Sequence, residues 1–147
     1  MTTTAADGTV TLTVVHRYTS PPEQVFDAWL DPKRARRFAF ATPTGEMIKA
    51  EIDARVGGKF NFTDRRPDMG DVAHVGEYLV IDRPRRLKFS FAVPQFDARQ
   101  TYVTLDFRAV DGGCELTLTH EGVLPEWAEN TPKGWEMILG NLESALG

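Results

Sequence analysis

Residues 131–146 read TPKGWEMILGNLESAL, and their apolar members Trp135, Ile138, Leu139, Leu142 and Leu146 recur at steps of three and four. That spacing aligns them along one stripe of an α-helix. Thr131 suits the cap, and Pro132 suits the first helical position, where its missing N–H costs nothing. Gly134 and Gly140 each cost up to about 1 kcal/mol relative to alanine. Burying five large side chains contributes roughly 7 to 15 kcal/mol as an upper bound. The stripe therefore needs a partner of matching size, and a curved sheet is the expected one. The two glycines are expected to let another backbone come close to the helix.

A chain of 147 residues forms one domain and buries about 70% of its extended surface without a covalent staple. Cys114 is the only cysteine, so an internal disulfide is impossible and a reducing cytoplasm is the expected setting. The start, MTTTAADG, has neither a basic region nor an apolar stretch, so no signal peptide or membrane insertion is expected. Seventeen basic against twenty-one acidic residues leave a net charge of -4, which gives nucleic acid no general attraction.

Residues 1–8 are small and polar and are expected to form a mobile tail ahead of a single domain at 9–147. Residues 10–19 alternate, with Val10, Leu12, Val14, His16 and Tyr18 on one face, and predict a half-buried strand. Ser20 is expected to cap a helix with Val25, Phe26 and Trp29 on its apolar side. Asp31 and Pro32 end that helix, and a second short one over 32–38 carries Lys33, Arg34, Arg36 and Arg37. Strands are then predicted over 47–54, 59–63, 74–81, 87–93, 100–109 and 114–121, at spacings typical of an antiparallel meander. In 75–81 the inward face is ambiguous between Tyr78 and Leu79. One strand, two short helices, six strands and one long helix make an α+β domain with its helices on one face.

Five segments in this order resemble a known family: SPPEQVFDAW, DARVGGKFNF, GEYLVIDRPRRLKFSF, LTLTHEG and GWEMILGNL. Together they are similar to the Hsp90-ATPase-activator-homologue-like branch of the SRPBCC superfamily, the START-like or helix-grip proteins. The resemblance spans about residues 10–146. It implies a seven-stranded curved antiparallel sheet gripping the long C-terminal helix, with a hydrophobic cavity between them, and a possible homodimer. It does not by itself fix a function, because this fold serves carriers, receptors and enzymes alike. Two departures fall at the expected cavity mouth: His16, where the branch often has arginine, and RRFAF at 36–40, where it usually has a tryptophan-containing segment.

No metal site is expected. His16, His74 and His120 lie on three segments without HxH or HExxH spacing. In the family's sheet order the strands of His16 and His120 are antiparallel neighbours. His16 then stands opposite about Leu116, leaving His120 about 13 Å along the strand. No cofactor motif is present, Cys114 has no identifiable base, and Gly57-Gly58 lacks the context of a phosphate loop. No catalytic residue is therefore assigned.

The aromatics point elsewhere. Tyr18, Phe38, Phe40, Phe60, Phe62, Phe89, Phe91 and Trp135 come from both sides of the inferred interior and, with His16, His120 and Leu139, form the expected ligand-binding set. The expected function is non-catalytic binding of a small apolar or aromatic molecule. An enzyme using a cavity histidine or tyrosine is the alternative, and a chaperone-interacting module, implied only by the family's name, is a third reading.

Overall fold

The computed structural model describes residues 2–4, 8–39, 45–95 and 97–146. Eight strands form one antiparallel sheet: β1 (Thr2–Thr4), β2 (Val10–Tyr18), β3 (Glu46–Ile52), β4 (Lys59–Arg66), β5 (Gly70–Asp82), β6 (Arg86–Val93), β7 (Asp97–Val110) and β8 (Gly113–Val123). Their order across the sheet is β1-β2-β8-β7-β6-β5-β4-β3. The seven expected strands are all present, and β1 is an addition. Thr2–Thr4, assigned to the tail from its lack of apolar residues, pairs with β2 from Thr4↔Val10 to Thr2↔Leu12. Ladder pairing uses backbone groups, so an edge strand of β-branched threonines needs no apolar face.

The helices α1 (Pro22–Leu30) and α2 (Pro32–Phe38) follow β2, and α3 (Asn130–Leu146) closes the chain after a short 3₁₀ turn, η1 (Pro125–Trp127). Ser20 does not cap α1. Pro21 takes that position, and its carbonyl accepts the N–H groups of Gln24 and Val25 at 3.1 and 3.2 Å. Asp31 does cap α2, its Oδ1 accepting the N–H of Lys33 at 3.0 Å.

The apolar stripe of α3 is placed as its spacing predicts: Trp135, Ile138, Leu139 and Leu142 are buried, and Leu146 packs at the margin. The hydroxyl of Tyr18 donates to the carbonyl of Leu139 at 2.8 Å, tying β2 to the middle of the helix. The glycines of α3 behave otherwise than expected. A Cβ built on Gly134 or Gly140 meets nothing within 4 Å, so neither serves a close backbone approach. Close approach occurs instead at Gly76 on β5, where a Cβ would stand 2.6 Å from the ring of Phe60.

Tyr78 is the inward residue of β5. The register passes from Tyr78↔Phe89 to Val80↔Lys88, so Leu79 is an extra residue on β5 and the inward parity moves from Tyr78 to Ile81. That slip is why period-two reading gave two answers there. The loop expected after residue 63 is a tight hairpin, with Arg65 and Asp71 paired across it at 2.9 Å.

Candidate functional site

The predicted site residues fall into three groups. Tyr18, Phe38, Phe60, Phe62, Phe89 and Leu139 lie in the main core. Phe60 meets Phe89 edge to face at 5.2 Å, Trp29 meets Phe38 at 5.0 Å, and Phe26 meets Phe107 at 5.2 Å. The space left among Trp29, Ala39, Phe60, Phe62, Tyr78, Leu87 and Phe89 is about 10 Å3. That is room for about one water. Among the described residues these side chains pack against one another and leave no chamber for an organic ligand.

His16 stands apart. Its ring lies 4.5 Å from that of Tyr18, tilted by 40°, and its Nε2 lies 3.8 Å from a Glu143 carboxylate oxygen on the outer part of α3. It faces Leu116 across the ladder, the register inferred from the sequence, and does not share a site with His120. Phe40 lies outside the described residues.

Phe91, His120 and Trp135 do come together, at the end of the concave face under the start of α3. Their rings lie 5.7 to 5.8 Å apart, and His74 stacks on Phe91 at 6.2 Å. The indole Nε1–H of Trp135 donates to His120 Nδ1 at 3.0 Å. An indole N–H can only donate, so Nδ1 must be the bare nitrogen and the proton must sit on Nε2. That Nε2–H donates to Thr101 Oγ1 at 2.7 Å, and the Thr101 hydroxyl donates to the carbonyl of Phe91 at 3.0 Å. The chain of bonds holds His120 neutral in one tautomer. Burial disfavours its charged form and lowers its pKa to about 4. His74, whose ring nitrogen lies 3.1 Å from the Phe62 carbonyl, is likewise pushed down to about 4, chiefly by burial.

Beside this cluster opens a cleft of about 200 Å3, walled by Phe91, Val93, Val123, Leu124 and Trp127, with Arg99, Thr101, His120 and Thr131 as its polar members. Two breaks in the ladders make it. Between Val10↔Val123 and Leu12↔His120, β8 has one extra residue, and Gly122 supplies the required positive φ of 84°. Between Phe91↔Thr101 and Val93↔Asp97, two residue steps on β6 stand against four on β7, and Arg99 sits in that irregular stretch. The strand ends splay, and the three-residue turn η1 covers them only in part.

Thr101, Trp127, Leu124, Val123 and Arg99 were missed from the sequence. Thr101 was legible, since it continues the inward series Val103, Leu105, Phe107. Trp127, an isolated tryptophan in a polar loop that stays 41% exposed, was the other signal. A larger hollow of about 380 Å3 lies around Lys59, Asn61, Glu77 and Gln100. Lys59 and Asn61 alternate with inward Phe60 and Phe62, so this hollow is on the outer side of the sheet, away from the grip. Among the described residues no three His, Cys, Asp or Glu side chains converge to hold a metal ion, and no helix is long and apolar enough to cross a membrane.

The sequence model of the family described as Activator of Hsp90 ATPase homolog 1-like protein matches residues 19–147. This chain belongs to that family. Solved structures agree in fold with this family member. Protein CV1439 from Chromobacterium violaceum superposes with a TM-score of 0.82 at 25% identity, over 92% of this chain and 96% of that one. The AHSA1-like protein from Aeromonas hydrophila gives 0.77 at 22% identity, over 92% and 91%. CalU16 from Micromonospora echinospora gives 0.73 at 24%, over 99% and 82%. No curated protein matches the chain. The family and its helix-grip architecture are thus shown, and the fold is one that commonly binds ligands.

Proposed function

We propose that this family member binds a small apolar or aromatic molecule without transforming it, and that the occupant sits in the cleft between Phe91, Val123 and Trp127. The observation that carries this reading is the contrast in free volume along the concave face, about 200 Å3 at this end and about 10 Å3 in the aromatic core. An apolar cavity of roughly 150 Å3 accommodates benzene, so the cleft suits a single ring or a short chain on the order of ten heavy atoms. Two groups that acid–base chemistry could use, His120 and Tyr18, are already committed. The Nδ1 lone pair of His120 receives the Trp135 N–H. The Tyr18 hydroxyl is buried and donates to Leu139, and its pKa is raised chiefly by burial. Buried Cys114, the only cysteine, accords with a reducing compartment such as the cytoplasm.

Native mass spectrometry of the protein purified from its own host tests the reading. The expected result is a small adduct that is absent after denaturation and lost in Leu124→Trp, which fills the cleft. An adduct retained by Leu124→Trp, or a clean mass together with no thermal shift from a library of apolar fragments, contradicts it.

A further inference from the structure

We infer that α2 is a docking surface for another protein, and that the segment it fits is a short acidic stretch whose carboxylates meet Lys33, Arg34, Arg36 and Arg37. This surface is separate from the cleft, which no residue of α2 lines.

The four cations stand against the rules that place charge on a helix. α2 reads PKRARRF and has no acidic residue in its first turn. Cations suit the last turn, where Arg36 and Arg37 stand. Lys33 and Arg34 instead occupy the first turn, at the positive end of the peptide dipoles. Lys33 lies three and four residues before Arg36 and Arg37, and Arg34 three before Arg37, so like charges neighbour one another on the helix surface and destabilise it.

Elsewhere the protein pairs its arginines. Eight of the twelve form an ion pair with an aspartate or glutamate, at 2.7 to 3.6 Å. Among the described residues the three arginines of α2 form none, and neither does Lys33. Asp27, which also feels the charge of Arg34, is held by two donors of Arg83 at 2.7 and 2.9 Å. Asp31 is occupied as the cap of α2, and the stretch after the helix, FATPT at 40–44, contains no acidic residue. Arg36 donates from Nη2 to the Met47 carbonyl at 3.2 Å, a neutral acceptor that leaves its charge uncompensated. Lys33, Arg36 and Arg37 are exposed, and Arg34 is half-buried. A cluster that costs its own helix stability and pairs with nothing around it fits a surface kept for contact with a partner.

Charge complementarity and size give the partner's chemistry. Three of the four cations are arginines, whose planar fork matches a carboxylate. The helix presents them over about 10 Å, the reach of about three residues of extended chain. The protein as a whole has a net charge of -4, so away from this patch its field is negative on balance. A short acidic segment ends within the patch, whereas a nucleic acid or an anionic membrane runs past it onto surface of its own sign.

The test titrates blocked tetraglutamate and blocked tetraglutamine peptides into the wild-type chain, followed by nitrogen–proton correlation spectra at the amides of α2. In low salt the acidic peptide should bind on the order of tenfold more tightly than the neutral one, and about 0.5 M salt should remove the difference. Arg34→Gln combined with Arg37→Gln leaves the Arg36–Met47 bond in place and keeps good helix formers. That double variant should lose most of the preference, while Arg108→Gln, which removes an arginine paired with Glu115, should retain it. Equal binding of the two peptides, shifts confined to residues outside α2, or a preference that survives in the double variant would each overturn the docking surface. Tighter binding of single-stranded oligothymidine or of phosphatidylglycerol vesicles than of tetraglutamate, lost in the same double variant, would overturn the assignment to a protein segment.

Discussion

Between Trp29 and Phe89 the concave face holds about 10 Å3 of free space, and between Phe91 and Trp127 it holds about 200 Å3. Both ends are rich in aromatic rings, so ring count is not what separates them. Coverage is. At the first end α1 sets Trp29 against the space beside Phe60 and Phe89, and Phe26 and Phe38, also buried, pack on Phe107 and on Trp29. At the second end the cover, among the described residues, is the first turn of α3 and the three residues of η1, and no η1 residue is buried. The open end coincides with two ladder breaks, and the filled end has one of its own between Tyr78↔Phe89 and Val80↔Lys88, so a broken ladder opens a cleft only where no helix covers it. Aromatic side chains on a curved sheet therefore mark where a cavity can form. The elements laid over them decide whether it does.

The comparison breaks most readily at the filled end. Phe60→Ala should cost about 3 to 5 kcal/mol in chemical denaturation, because its ring packs on Phe62, Tyr78 and Phe89 with no space to collapse into. A loss under about 1 kcal/mol would mean that this end is not tightly packed.

Acid should discriminate in the opposite sense, acting on the His74–Phe91–His120 cluster at the open end. Both histidines have folded pKa values of about 4, below the unfolded value of about 6.5. The unfolded chain therefore binds more protons between those limits. Stability should be level above about pH 7 and fall as the pH drops from 6.5 towards 4, by on the order of 2 kcal/mol per histidine at pH 5. Asp27, Asp71 and Glu115, held below their ordinary range by hydrogen bonds from Arg83, Arg65 and Arg108, add losses only at still lower pH. Urea midpoints measured from pH 8 to pH 4.5 check this. A flat profile would show that His120 and His74 are not held neutral by burial.

Smaller effects sharpen the boundary between the two ends. Trp135→Phe keeps most of the packing but removes the donor to His120, leaving Nδ1 without its indole. It should cost about 1 to 3 kcal/mol and raise the pKa of His120, readable in its ring proton shifts. An unchanged His120 titration would mean that the bond does not set its state. Gly140→Ala should stabilise the chain by up to about 1 kcal/mol, since a Cβ there meets open space and alanine is the better helix former. Destabilisation would show that Gly140 serves a contact after all.

How much of this was legible in the sequence differs between the two ends in the same way. Periodicity located the α3 stripe, and the sheet order implied by the family resemblance, with midpoint pairing, placed His16 opposite Leu116. Period-two alternation put Phe60, Phe62, Phe89 and Phe91 on the inward face. It could not say that the first three pack solid while Phe91 stands at an opening, because that depends on which helix crosses above each strand. The bulge at Leu79 hid the inward face of β5. The bulge at Gly122 and the slip beside Arg99 hid most of the cleft wall, since irregularities break the periodicity that sequence reading uses. The glycines of α3 misled because a missing Cβ marks either a close contact or open space.

The most direct test of the difference between the ends is a crystal structure of the protein pressurised with xenon, which enters apolar space large enough to admit it whatever the natural occupant. The account predicts xenon in the cleft beside Phe91, Val123 and Trp127, and none among Trp29, Phe60 and Tyr78. Xenon bound between Trp29 and Phe60 with the cleft empty would contradict it.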